Sequence, residues 1–196
     1  MDPYFSSAVF LILSCWLWNA ECRDYNLVLR VPNGGQWGEW GKMAMCSKGH
    51  ASGFSLKFIV LWQQKIEESS ATSSDTSLNG IRLYCTGVEV IQSATGMFGV
   101  WGDVEKCSEG NLMSFALQVE APQGPSDDTA ANNIKFTCQS KQVLKGSSNN
   151  WGTYGPWSDF CKVGAICGIQ TKIEPWSTLP VSDNTGLNDV QFVCCD

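Results

Sequence analysis

Asp75-Thr76-Ser77-Leu78-Asn79-Gly80-Ile81-Arg82-Leu83-Tyr84-Cys85 recurs twice more along the chain. The second copy is Asp128-Thr129-Ala130-Ala131-Asn132-Asn133-Ile134-Lys135-Phe136-Thr137-Cys138, and the third is Asn184-Thr185-Gly186-Leu187-Asn188-Asp189-Val190-Gln191-Phe192-Val193-Cys194. Each copy opens with short polar residues that favour a turn and closes with apolar and polar residues in alternation. A turn running into a half-buried strand has this pattern. The closing cysteines are 53 and then 56 residues apart, so the chain is built on an internal repeat.

Two further blocks precede each copy in the same order. The first is aromatic-Gly-x-aromatic: Trp37-Gly38-Glu39-Trp40, Phe98-Gly99-Val100-Trp101 and Trp151-Gly152-Thr153-Tyr154. Cys46, Cys107 and Cys161 follow its first residue at spacings of 9, 9 and 10. The second is an alternating run, Gly53–Phe58, Ser114–Val119 and Gly168–Ile173, in which Phe54, Phe115 and Ile169 each lie 8 residues after that cysteine. The repeats are therefore approximately 27–85, 86–138 and 139–195.

Gly, Asn, Asp, Ser and Pro clusters separate the alternating runs. Segments 67–74 and 121–127 are Ser-, Glu-, Pro- and Gly-rich and predict exposed loops. No stretch of twelve residues carries a helical stripe, with Ile59 to Ile66 the nearest approach. The chain is predicted to be all-β, with about a dozen short strands. Three units that cannot bury an apolar face alone should pack around a pseudo-threefold axis. Three antiparallel sheets then form the sides of a prism filled by Phe, Leu, Ile and Val.

The N-terminus predicts an exported protein. Val9 to Trp18 is an apolar run of 10 residues, too short to span a bilayer. Ala20-Glu21-Cys22 places small residues for cleavage before Arg23, although the leader carries Asp2 and no Lys or Arg. The expected division is a signal peptide at 1–22 and a single domain at 23–196. Of 10 cysteines, Cys15 and Cys22 fall in the leader and eight remain, whereas cleavage after Ala20 leaves an odd nine. Eight cysteines in an exported chain imply four disulfides. Repeat equivalence selects Cys46–Cys85, Cys107–Cys138 and Cys161–Cys194, and Cys167–Cys195 then pair as the remainder. Cys194 and Cys195 are neighbours, so which of them takes Cys161 is left open. A disulfide closing a loop of this size adds about 2–4 kcal/mol.

Composition narrows the function. The 196 residues carry 13 basic and 19 acidic groups, a formal charge of -6, and loss of Asp2 and Glu21 with the leader leaves -4. Nucleic-acid binding wants a basic stripe instead. No segment after the leader is long and apolar enough to insert in a membrane. His50 is the only histidine and no C-x-x-C occurs, so zinc-ligand spacing is absent and no metal or cofactor is expected. No phosphate loop, nucleophile motif or N-x-S/T sequon is present.

The W-G-x-W block, the Gly53-Phe54-Ser55-Leu56-Lys57 run, the D-T-x-L-N-G-I-R-L-x-C block and the terminal Cys194-Cys195 resemble the vitelline membrane outer layer protein family over about residues 25–195. The resemblance implies a β-prism of three Greek-key sheets. It also implies a secreted protein of the egg's outer vitelline layer, or a homologue in other secretions, associated with other secreted proteins. A transfer reaction on N-acetylchito-oligosaccharides is implied as an alternative. This chain departs from the pattern in a longer loop at 60–74. It departs again where Ser74 and Asn184 stand in place of Asp, which argues against a symmetric acidic site.

The residues most able to form a ligand groove are Asp75, Asp127, Asp128, Thr129, Asn132, Asp183 and Asn188. Short polar side chains there suit hydrogen bonds to sugar hydroxyls, and the same residue types also make turns with their own backbone. Trp37, Trp40, Trp101, Trp151, Tyr154 and Trp157 offer rings for stacking on sugars. Their recurrence beside glycine also fits packing at the prism corners. Trp62 and Trp176 lie outside the repeated block and are expected to be exposed. A glycosidase needs two carboxylates about 5–9.5 Å apart. The candidates are Glu39, Asp103, Glu105, Asp127, Asp128, Asp159 and Asp183, and the sequence selects no pair. The expected function is a non-enzymatic structural component of an extracellular layer, with egg-coat or mucosal proteins as partners. The alternative is a protein that binds or transfers N-acetylglucosamine-containing glycans.

Overall fold

The computed structural model describes residues 23–58, 78–120, 131–148, 151–175 and 186–196. The expected leader, the tract from Ile59 to Ile66, the loops at 67–74 and 121–127, and Trp62 and Trp176 lie outside the described residues.

Fourteen strands are described, in three sheets. The first sheet contains β4 (Ala51–Phe58), β5 (Leu78–Cys85), β6 (Val90–Gln92), β7 (Val100–Trp101) and β8 (Glu105–Lys106). The second contains β9 (Leu112–Val119), β10 (Ala131–Cys138), β11 (Val143–Lys145) and β12 (Thr153–Tyr154). The third takes β1 (Leu27–Leu29), β2 (Glu39–Trp40) and β3 (Ala44–Met45) from the start of the chain and β13 (Ala165–Ile173) and β14 (Leu187–Cys195) from its end. All pairings are antiparallel. The orders are β6-β5-β4-β7, β11-β10-β9-β12 and β1-β14-β13-β2, with β8 also on β4 and β3 also on β13. In the first two sheets three strands follow in sequence and a fourth returns beside the first, which is the Greek-key arrangement.

The alternation seen in the sequence sets which side chains enter the prism. The central hairpins place Phe54 opposite Leu83, Phe115 opposite Phe136, and Ile169 opposite Phe192. All six are fully buried. The rings meet on the axis: Phe136 is 4.7 Å from Phe54, 5.1 Å from Phe192 and 6.3 Å from Phe115, and Phe115 is 4.8 Å from Phe192. One inward position breaks the pattern. Thr171 stands where the other units have Leu56 and Leu117, since all three carbonyls accept from a glycine N–H in the same way. Its buried hydroxyl donates to the Ala94 carbonyl at 2.5 Å, so the polar group is satisfied.

The sequence repeats and the sheets are out of step. The aromatic block that heads repeat 2 supplies β7 to the sheet of repeat 1, and the block that heads repeat 3 supplies β12 to the sheet of repeat 2. The block of repeat 1 supplies β2 to the last sheet, where β1 also pairs with β14. No repeat completes its own sheet, and the two ends of the chain close the ring. The corner needs glycine. Gly38, Gly99 and Gly152 have φ of 84°, 92° and 75°, and a Cβ on Gly38 or Gly152 would run into the backbone of Ile173 or Val119.

Four disulfides are present: Cys46–Cys85, Cys107–Cys138, Cys161–Cys194 and Cys167–Cys195. The offset between repeats and sheets changes what the first three do. The Cys46 N–H donates to the Cys167 carbonyl of the third sheet, that of Cys107 to Ser52 of the first and that of Cys161 to Met113 of the second. Their partners Cys85, Cys138 and Cys194 lie in β5, β10 and β14. Each of these bonds therefore joins two different sheets, third to first, first to second and second to third. Cys167–Cys195 alone joins neighbouring strands of one sheet.

Candidate functional site

Of the seven groove candidates, Asn132 and Asn188 are described. Asp75, Asp127, Asp128, Thr129 and Asp183 lie outside the described residues. Asn132, Asn188 and their counterpart Asn79 are buried at the strand entries. The Asn79 and Asn188 carbonyls accept from Gly96 N–H at 2.7 Å and Gly35 N–H at 2.6 Å. A Cβ on either glycine would meet the Asn side-chain oxygen. Asn79 and Asn188 thus sit beneath a glycine turn.

Nothing in the sequence pattern marks the residue after this asparagine. It is Gly80, Asn133 or Asp189 in the three units. Asn133 accepts from Ile134 N–H through its side-chain oxygen and donates its amide to the Gly146 carbonyl, both at 2.8 Å. Asp189 accepts from Val190 N–H at 2.8 Å but has no amide to donate. Burial pushes its carboxyl above the ordinary range, against the pull of Val190 N–H, Lys172 and Arg30. A carboxylate whose folded pKa is raised supports stability only while it is protonated. That support is complete below the unfolded value and is lost as pH rises through the folded one. Asp189→Asn is therefore expected to raise Tm at neutral pH by about 2–4 °C. The gain should vanish near about pH 3, where the carboxyl is protonated in both states. Thermal melts at the two pH values check this, and an equal shift at both would remove ionisation as the cause.

The aromatic block divides into two roles. The leading Trp37 and Trp151 are 65% and 44% exposed, so part of each side chain faces solvent at its corner. The closing residues Trp40, Trp101 and Tyr154 lie on the outer faces of the sheets, where β2, β7 and β12 pair with β13, β4 and β9. Behind each corner the position on the long strand is Lys172, Lys57 or Gln118. Lys57 Nζ donates to the carbonyls of Gly96 and Met97 at 2.8 and 3.1 Å, Gln118 Nε2 to those of Trp151 and Gly152 at 2.8 and 3.2 Å, and Lys172 Nζ to that of Gln36 at 2.5 Å. Burial, and secondarily the Arg82 charge, lower the pKa of Lys57.

The outer faces are three versions of one layout. On the third sheet Arg30 Nε donates to Gln191 Oε1 at 2.7 Å, Gln191 Nε2 donates to Gln170 Oε1, and Gln170 Nε2 reaches the Gly41 carbonyl at 2.7 Å. On the first sheet Arg82 donates to Gln92 at 2.7 Å and lies 3.8 Å over the Trp101 ring, while Ser55 and Tyr84 share a hydrogen bond at 3.3 Å. On the second sheet the matching places hold Lys145, Lys135, Ala116 and Tyr154. Lys135 and Lys145 are directly opposite each other. Lys135 Nζ lies 4.5 Å from the Tyr154 ring and 4.8 Å from Trp157, and Lys145 Nζ lies 6.0 Å from Tyr154.

Of the catalytic candidates, Glu39 is in β2 and Glu105 in β8, on different sheets. Asp103 and Asp159 lie outside the strands. Among the described residues no group of three His, Cys, Asp or Glu is placed to hold a metal, and no helix is long and apolar enough to cross a membrane.

Comparison with known proteins agrees with this architecture. Residues 27–196 match the family described as Vitelline membrane outer layer protein I. The human Vitelline membrane outer layer protein 1 homolog is 41% identical over 179 residues, covering 87% of this chain and 84% of the relative. The mouse homolog is 39% identical over the same coverage. Among solved structures, Calsepa lectin in complex with a bisected glycan matches with a TM-score of 0.54 at 10% identity, covering 88% of this chain and 99% of the lectin. Recombinant jacalin matches with a TM-score of 0.53 at 10% identity, covering 91% and 99%. These likenesses show the β-prism fold. The chain belongs to the vitelline membrane outer layer protein I family.

Proposed function

We propose that this chain is a secreted, non-enzymatic structural and interaction component of an extracellular layer, with egg-coat or mucosal proteins as its neighbours. The observation that carries the reading is the ring of three disulfides joining the sheets. Such bonds form and persist in oxidising compartments, and a covalently closed prism suits a module that must stay rigid outside the cell. The human and mouse relatives carry the vitelline membrane name. The test is expression of the full chain in cultured secretory cells. The product should appear in the medium beginning at Arg23, with no free thiol, and should sediment with isolated egg-coat or mucosal material. Retention in the cytosol with free thiols, or a secreted product that never associates with such material, would sink the reading.

A second reading, binding or transfer of N-acetylchito-oligosaccharides, is favoured by the exposed rings of Trp37 and Trp151. Mass spectrometry of N-acetylchitohexaose incubated with the mature chain and with Asp128→Ala tests transfer, and tryptophan fluorescence tests binding. An unchanged oligosaccharide with no fluorescence shift removes this reading for that substrate.

A further inference from the structure

The second sheet breaks a rule that its two symmetry mates obey. At matching positions, the third sheet closes its outer face with a hydrogen-bonded chain from Arg30 to Gly41. The first sheet seats Arg82 between Gln92 and Trp101. The second sheet instead sets two ammonium groups side by side, since Lys135 and Lys145 are register partners. Like charges directly opposite on a sheet repel. Among the described residues neither lysine has an ion pair or a hydrogen bond, and their only partners are the faces of Tyr154 and Trp157.

A second observation falls on the same face. Gln118 is 4% exposed and Ser114 is fully buried. By strand alternation both leave β9 on the side opposite Phe115 and Leu117. Gln118 Oε1, Ser114 Oγ and the Tyr154 hydroxyl are buried and have no hydrogen-bond partner among the described residues. These atoms are closed to solvent, so what the face offers an outside group is the two ammonium groups and the aromatic rings beside them. Burial pushes the pKa of the Tyr154 hydroxyl up to about 12. Trp157 adds an indole that is 38% exposed.

We infer that the outer face of the second sheet is a binding site for an anionic saccharide, its sulfate or carboxylate held between Lys135 and Lys145 and its ring set against Trp157. Two ammonium groups supply the counter-charge for one anion, and a bare ion would leave the indole unused. A sugar offers both an anionic group and an apolar ring face. The inference takes from the proposed function only the extracellular setting. A binding assay in vitro can fail without touching the evidence for export.

The test is isothermal titration calorimetry, with tryptophan fluorescence alongside, on the disulfide-intact mature chain at low salt. The probes are sulfated N-acetyllactosamine, sialyllactose, unsulfated N-acetyllactosamine and inorganic sulfate. At least one anionic sugar should bind about tenfold or more tighter than both the neutral sugar and the inorganic ion, and should weaken as salt rises. Lys145→Gln installs the residue that the first sheet carries at this position, Gln92. It and Trp157→Ala should each lower that affinity by about fivefold or more. Lys48→Gln removes the same charge from an exposed site elsewhere and should leave affinity unchanged. Circular dichroism and Tm establish that each variant is folded, and Lys145 is exposed enough for its replacement to be tolerated. Binding of the neutral sugar at equal strength would overturn the proposal. So would inorganic sulfate binding as tightly as the sugars, equal loss in Lys48→Gln, or no binding by either anionic sugar.

Discussion

Phe136→Ala is expected to cost about 3–5 kcal/mol of folding stability, the range for removing a fully buried aromatic ring. Phe136 belongs to the second sheet, and its ring meets Phe115 across its own hairpin, Phe54 of the first sheet and Phe192 of the third. Its ring thus touches rings from all three walls of the prism. Alanine would leave a cavity lined by rings from three sheets, each held by its own ladder of hydrogen bonds, so the walls cannot collapse into it freely. Phe136→Leu should cost far less, about 1 kcal/mol, because the pseudo-threefold axis already places Leu83 at the equivalent site in the first sheet. Denaturant unfolding with disulfides intact measures both. Similar losses for Ala and Leu would mean that ring stacking itself, and not volume on the axis, holds the sheets together.

The symmetry behind that comparison was legible in the sequence because it is written in identities. Phe54, Phe115 and Ile169 keep one spacing from a cysteine, and Leu83, Phe136 and Phe192 keep one spacing before the next. A period-two pattern fixes which of these face inward whatever the strand's neighbour is. The neighbour itself was not legible. β2, β7 and β12 are two residues long, and nothing local in Trp37-Gly38-Glu39-Trp40 says whether it pairs with the hairpin that follows or the one that came before. Closure of the ring decides that, and with it the fact that the repeats exchange strands.

The second-sheet face was hidden for a related reason. Lys135 and Lys145 each read alone as a solvated charge. Only the register of β10 against β11 puts them side by side, and only β12 brings Tyr154 beneath them. Asn132 and Asn188 are groove candidates in the sequence because the block around them repeats. Repetition under a symmetric fold was also the signal of a shared structural task, and their burial fits that task. Asp189 lay one residue further on, at a position that varies among the three units, and its character comes from burial that no spacing reveals.

Removing the Cys107–Cys138 bond by Ala at both positions is the other large effect expected. The loop it closes spans 31 residues, and the loop closed by Cys167–Cys195 spans 28. By chain entropy alone the two losses should be nearly equal, about 4 kcal/mol each. The difference lies in what each bond holds in the folded state. Cys167 and Cys195 sit on β13 and β14, whose ladder runs from Ala165 opposite Cys195 to Ile173 opposite Leu187. With that bond gone the strands stay zipped, and opening should be confined to the ends near Cys167 and Cys195. Cys107–Cys138 instead joins the first sheet to the second, and among the described residues no backbone ladder runs between them. Cutting it opens one link of the ring and leaves that seam to side-chain packing. Hydrogen exchange should then rise on both sides of the seam, at Cys107 N–H, bonded to the Ser52 carbonyl at 2.9 Å, and at Gln139 N–H, bonded to that of Asn111 at 2.9 Å. The third sheet should stay protected. Exchange that spread as widely after loss of Cys167–Cys195 would show that the bonds act through the unfolded chain alone. Exchange confined to the seam would show that the ring holds the walls of the folded prism together.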